Sequence, residues 1–204
     1  MRRRLALLAL LLTQAARADL EQAQRYLDQS RFPLAYSEAR THRKQDPKRS
    51  ELLQIWALAN MLKGDEAQLR LKAFRPDAKC ARLYLIVHSM LDPQSRRKDL
   101  EQALELSVAP AERVDVLLRL FRANPFPKDQ PYWEEAAEIA SHNRLPADLL
   151  ARLSLAHINL LGNLKRPQEG FADLAVAESL LRGDPSCAWR IELGRIEVLN
   201  NLGR

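Results

Sequence analysis

Residues 26–47, YLDQSRFPLAYSEARTHRKQDP, decide the fold class. The stretch reads as the end of one helix, a polar turn, a second helix and a proline stop. Tyr26 and Leu27 continue a face begun by Ala23 at helical spacing. Pro33 falls in the first turn of the second helix, where its missing N–H does no harm. Asp46-Pro47 then stops that helix near Lys44. The same layout returns in residues 60–74, NMLKGDEAQLRLKAF. Tyr26 and Asn60, Ala23 and Ala57, and Ser30 and Gly64 are each 34 positions apart. A fixed offset of that size points to stacked helical hairpins.

Outward from this stretch the chain keeps to one vocabulary. Leu, Ala, Glu, Arg and Gln dominate, all good helix formers, and there are only 6 glycines. Residues 19–30 form the first helix. Ser50 is expected to cap a third, with Leu53, Trp56, Ala57 and Asn60 on one face and Gly64 closing it. Residues 65–74 form a fourth, and periodicity predicts others over 78–91, 95–107, 110–123, 131–142, 146–162, 168–182 and 186–202. The fold class is therefore all-α, a solenoid of helical hairpins with about eleven helices, with an unrelated helical bundle as the alternative. One connection is long. Residues 124–131, NPFPKDQP, hold three prolines and cannot be helical. They read as a spacer, a sub-boundary between two sets of hairpins; the alternative is a presented loop with Phe126 at its tip.

The first unit places a small residue, Ala23, three before the aromatic Tyr26, then Ala35 nine after it and Pro47 twelve further on. In this the stretch resembles a tetratricopeptide repeat. The second unit keeps Ala57 and Gly64, while Asn60 and Leu69 replace the expected tyrosine and alanine. A later unit over 146–185 recovers Ala172 and the Asp184-Pro185 stop. The resemblance implies a right-handed stack that binds a protein or peptide partner in a groove lined by the first helix of each hairpin. It implies that Gln24, Leu27, Asp28, Gln54, Leu58 and Met61 face that groove.

Residues 1–18, MRRRLALLALLLTQAARA, have a basic start, an apolar run from Leu5 to Leu12, and small residues at Ala16 and Ala18. This reads as a secretory signal peptide, because the run falls short of the roughly 20 residues a membrane span needs. The chain from Asp19 is expected to be periplasmic or secreted, with no transmembrane segment. The leader holds four arginines and no acid. Without it, 28 Lys and Arg face 26 Asp and Glu. The basic pI thus belongs mostly to the leader, and no nucleic-acid partner is implied. Cys80 and Cys187 would sit far apart in an extended stack, so two buried thiols are favoured over a disulfide.

Catalysis needs converging groups, and the sequence holds no glycine-rich phosphate loop, C-x-x-C, H-E-x-x-H or G-x-S-x-G. The four histidines are scattered. His42 with Asp46 and Glu138 with His142 share helix faces, but read as ion pairs or capping contacts. Glu178-Ser179 resembles the catalytic pair of lytic transglycosylases, without that family's flanking segment. No catalytic residue, metal or cofactor is expected. The function implied is a non-enzymatic envelope scaffold or adaptor, for example in assembly of a secretion, pilus or motility complex. The alternative is a polysaccharide-binding accessory or peptidoglycan-acting enzyme.

Two surfaces stand out. Arg40, Arg43, Lys44, Lys48 and Arg49 form a basic patch where a helix ends. Residues 19–100 carry 16 basic and 11 acidic residues, and residues 101–204 carry 12 and 15. Such a dipole favours weak head-to-tail self-association or an acidic partner. The last helix carries Trp189, Leu193 and Ile196 on one stripe, with Ile191, Val198 and Leu202 widening it. It reads as a capping helix backed by Arg190, Glu192, Arg195 and Glu197, or else as a docking site.

Overall fold

The computed structural model describes residues 20–182 and 187–203; the signal peptide expected over residues 1–18 and the stop expected at Asp184-Pro185 lie outside the described residues. Among the described residues there are eleven α-helices, one short 3-10 turn and no strand. They are α1 (residues 20–28), α2 (Phe32–Thr41), α3 (Pro47–Asn60), α4 (Gly64–Ala73), α5 (Ala81–Leu91), α6 (Arg96–Glu105), α7 (Pro110–Ala123), α8 (Gln130–His142), α9 (Ala147–Asn163), α10 (Gly170–Leu180) and α11 (Ala188–Asn201). No helix among them is long and apolar enough to cross a membrane. Proline at the start of α2, α3, α7 and α8 sets where those helices begin.

The chain divides into two compact units at Pro93 and Gln94. In the first, α3 packs against α2, α4 and α5. Consequently α3 is buried on all sides over residues 52–58. Ala23, Ala35 and Ala57 are fully buried, as small residues at helix contacts should be. In the second unit α7 packs against α6 and α8, and α9 against α10. Its larger core joins Val114, Leu117, Phe121, Ala136, Leu149 and Leu160. A smaller core of Ile158, Leu174 and Val198 seats α11. Neighbouring helices pack in consecutive pairs within each unit, as in an α-solenoid.

Three expectations need correction. The sub-boundary expected at residues 124–131 is not where the chain divides. That segment joins α7 to α8, which pack on each other. Asn124 Nδ2 donates to Leu120 O at 2.7 Å, closing α7. Ser50 is not a cap either. Asp46 takes that role, accepting from Arg49 N at 3.0 Å, and Ser50 is buried one turn inside α3. Gly64 begins α4 rather than ending α3.

The residue that reverses the chain after α3 is Leu62, with φ of 60°. Lys63 N donates to Leu58 O at 3.1 Å across it. Ser30 (φ 61°) and Lys165 (φ 58°) make the same turn after α1 and α9, with Arg31 N donating to Tyr26 O and Arg166 N to Leu161 O. These are helix endings of the Schellman type, which glycine ordinarily fills. Leu62 is also 98% exposed, so its side chain offsets none of the strain. Leu62→Gly is expected to stabilise the first unit by about 1 kcal/mol; urea unfolding checks this, and a lower midpoint would contradict it.

Candidate functional site

The expected groove residues do not share an open surface. Leu27, Gln54 and Leu58 are buried, at 4%, 3% and 2% exposure, while Gln24, Asp28 and Met61 are half-buried. Gln54 lies inside because α3 has neighbours all round. Its amide is spent internally: Nε2 donates to Ser50 Oγ at 3.1 Å, and Oε1 accepts from Arg70 Nη2 at 3.1 Å. Ser50 Oγ in turn donates to Ala39 O, and Arg70 Nε to Glu51 Oε1 at 2.8 Å. This network ties α2, α3 and α4 together. Gln24 Nε2 donates to Asp28 Oδ1 at 3.3 Å within α1.

The basic patch is brought together. Arg40, Arg43, Lys44 and Lys48 are exposed and Arg49 half-buried around the α2–α3 turn. Lys48 Nζ lies 3.0 Å from Asp77 Oδ2. The Asp77 carboxyl is lowered to about 2 by its hydrogen bond with Cys80 and by Lys48. Cys80 and Cys187 are both buried, and burial pushes the Cys80 thiol up, away from reactivity.

The histidine pairings differ from expectation. His42 Nε2 faces Glu38 Oε1 at 3.3 Å, since Asp46 is committed to capping α3. His142 Nδ1 lies 2.9 Å from the Glu138 carbonyl, not its carboxylate. Glu178 is held by Arg195 Nη2 at 2.7 Å. His157 Nδ1 sits 2.9 Å from Asp173 Oδ2, and its ring stacks on Trp133 at 4.1 Å between centroids. That cluster joins α8, α9 and α10. Among the described residues no three His, Cys, Asp or Glu side chains are placed to hold a metal.

The polar face with the most convergent charge lies on α7, α9 and α11. On α7, Asp115, Arg119 and Arg122 stand at i, i+4 and i+7, so they share a stripe. On α9, Arg152 and Asn159 do the same at i and i+7. On α11, Arg190 and Glu197 are again seven apart. Packing of α9 against both α7 and α11 sets the three stripes side by side. Arg119 Nε donates to Asp115 Oδ2 at 3.0 Å, and Arg152 Nη2 to Asp115 Oδ1 at 2.7 Å. Asn159 Nδ2 donates to Glu197 Oε1.

Electrostatics mark this face as one connected site. Burial alone would raise the Asp115 carboxyl; the Arg119 and Arg152 guanidiniums outweigh it and hold the group well below the usual carboxylate range. Arg122 is lowered to about 10, first by desolvation and then by the like charges of Arg152, Arg119 and Arg190. Its side chain is nonetheless open to solvent. Arg122 thus feels three other guanidiniums and the Glu197 carboxylate, and with Asp115 the face counts four cations against two anions.

No protein-family model matches this chain, and no curated protein or solved structure is significantly similar to it. The site therefore rests on its own geometry. Of its residues, sequence reading had singled out only Arg190 and Glu197, as the polar back of α11. The Asp115–Arg119–Arg122 stripe was legible as a periodic run within one helix. Its convergence with Arg152 and Arg190 depends on how α7, α9 and α11 stack.

Proposed function

We propose that the protein is an exported, non-enzymatic scaffold that holds an acidic, extended protein segment against the α7–α9–α11 face. The observation that carries this reading is the pairing of Arg119 and Arg152 with Asp115, beside an exposed Arg122 that feels the like charges of Arg152, Arg119 and Arg190. Guanidiniums suit it because their planar forks take carboxylates two bonds at a time. Like charges crowd Arg122, so an incoming anion would relieve repulsion as well as form new bonds. Export rests on the leader, and the resemblance to tetratricopeptide repeats supports a hairpin stack with a ligand face. By the same reading, the setting is an envelope assembly such as a secretion, pilus or motility complex.

Fluorescence anisotropy with a labelled Glu/Asp-rich peptide tests it, beside an amide-substituted peptide of the same length. The acidic peptide should bind, and added salt should weaken it. Arg122→Glu should weaken it by at least about tenfold while leaving the helical circular dichroism unchanged. Equal binding of both peptides, or binding indifferent to Arg122→Glu, would remove the reading. Saturable binding of an anionic envelope glycan without the peptide would favour a polysaccharide-binding accessory instead.

A further inference from the structure

α11 is apolar on two opposite sides. Its inner side, with Ile191, Gly194, Val198 and Leu202, packs onto the small core of the second unit. Its outer side presents Trp189, Leu193 and Ile196, exposed at 47%, 53% and 51%. A helix with two opposite apolar sides has one more apolar side than a single core covers. Here the polar residues stand on the flanks instead, Arg190 and Glu197 on one side, Glu192 and Arg195 on the other.

We propose that the outer side is covered by α11 of a second copy of this chain, packed antiparallel about a two-fold axis. Trp189, Leu193, Ile196 and Asn200 follow the four-three-four spacing of a heptad seam. Run antiparallel, Leu193 of one copy meets Ile196 of the other, and Trp189 meets Asn200. Each contact then occurs twice, as an isologous interface requires. The same register sets Arg190 of one copy beside Glu197 of the other. A parallel register would set Glu192 beside Glu197, like charge against like. The flanking charges therefore select a second, antiparallel copy of the same helix. This pairing closes at a dimer, unlike the head-to-tail stacking suggested by the charge of the two halves.

Sedimentation of the full chain with no peptide present tests the pairing, and Leu193→Asp, at a residue outside the arginine face, separates it from ligand binding there. The mass should rise with concentration toward twice 23.3 kDa. Leu193→Asp should hold it at the monomer with unchanged helical content, since the side chain is exposed. Register is read by mixing Leu193→Cys and Ile196→Cys chains under mild oxidation; the native thiols are buried. Mixed links in preference to like-with-like links are expected. A monomer at every concentration, association that survives Leu193→Asp, or preferential like-with-like links would each overturn the proposal.

Discussion

Asp115→Asn is expected to destabilise the second unit by about 3 kcal/mol at neutral pH. The carboxylate accepts from Arg119 on its own helix and from Arg152 on α9 at 2.7 Å, with its side chain only 20% exposed. An amide keeps the shape and loses the charge. Arg119 and Arg152 would then face each other, and Arg122 and Arg190, with Glu197 as the other acid at the site. The pH dependence identifies the cause. The folded-state pKa is depressed, so the stabilisation is fully present above the unfolded value of about 3.9 and is lost as pH falls toward the folded value. Urea unfolding should therefore show a large gap between wild type and variant at pH 7 and a shrinking gap below about pH 4. A gap of equal size at both pH values would mean the charge is not its source.

Gly194→Val should loosen α11 from the second unit, at a cost of about 2–3 kcal/mol. A Cβ at this position would lie 2.6 Å from Leu155 Cδ2, 3.4 Å from Leu174 Cδ1 and 3.6 Å from Ile158 Cδ1. The first distance requires Leu155 to move, and a branched side chain adds two carbons where the core has no room. Alanine gives the contrast. It brings a helix-propensity gain of about 1 kcal/mol over glycine, which offsets much of the displacement of a flexible leucine tip. Gly194→Ala should therefore melt close to wild type, and Gly194→Val well below it, with early proteolysis after α10. If the two variants melt together, Gly194 is not the contact that admits α11.

Much of the fold could be read from residue spacing. Apolar periodicity, the prolines at helix starts and the Asp46 and Pro47 stop signal are local features, and local features act within one helix. The limits lie where neighbours decide. Leu53, Trp56 and Ala57 suggested one buried face on α3, but α2, α4 and α5 enclose it, so Gln54 and Leu58 are internal as well. Leu62 holds a left-handed turn that its side chain disfavours, a choice made by the hairpin geometry and invisible in residue type. The arginine face draws on residues 37 and 38 positions apart along the chain, Asp115 with Arg152 and Arg152 with Arg190, and no one-helix pattern links them.

Most helix contacts in each unit join elements adjacent in the chain, so hairpins can form early from short loop closures. The pairings of α7 with α9 and α9 with α11 are different. They skip a helix and require two finished hairpins to dock. Those two pairings are what assemble the arginine face. On the proposed function the face would therefore act as a proofreading feature of its own unit: an acidic segment would find it only once docking is complete, and by binding would add stability to that finished state alone.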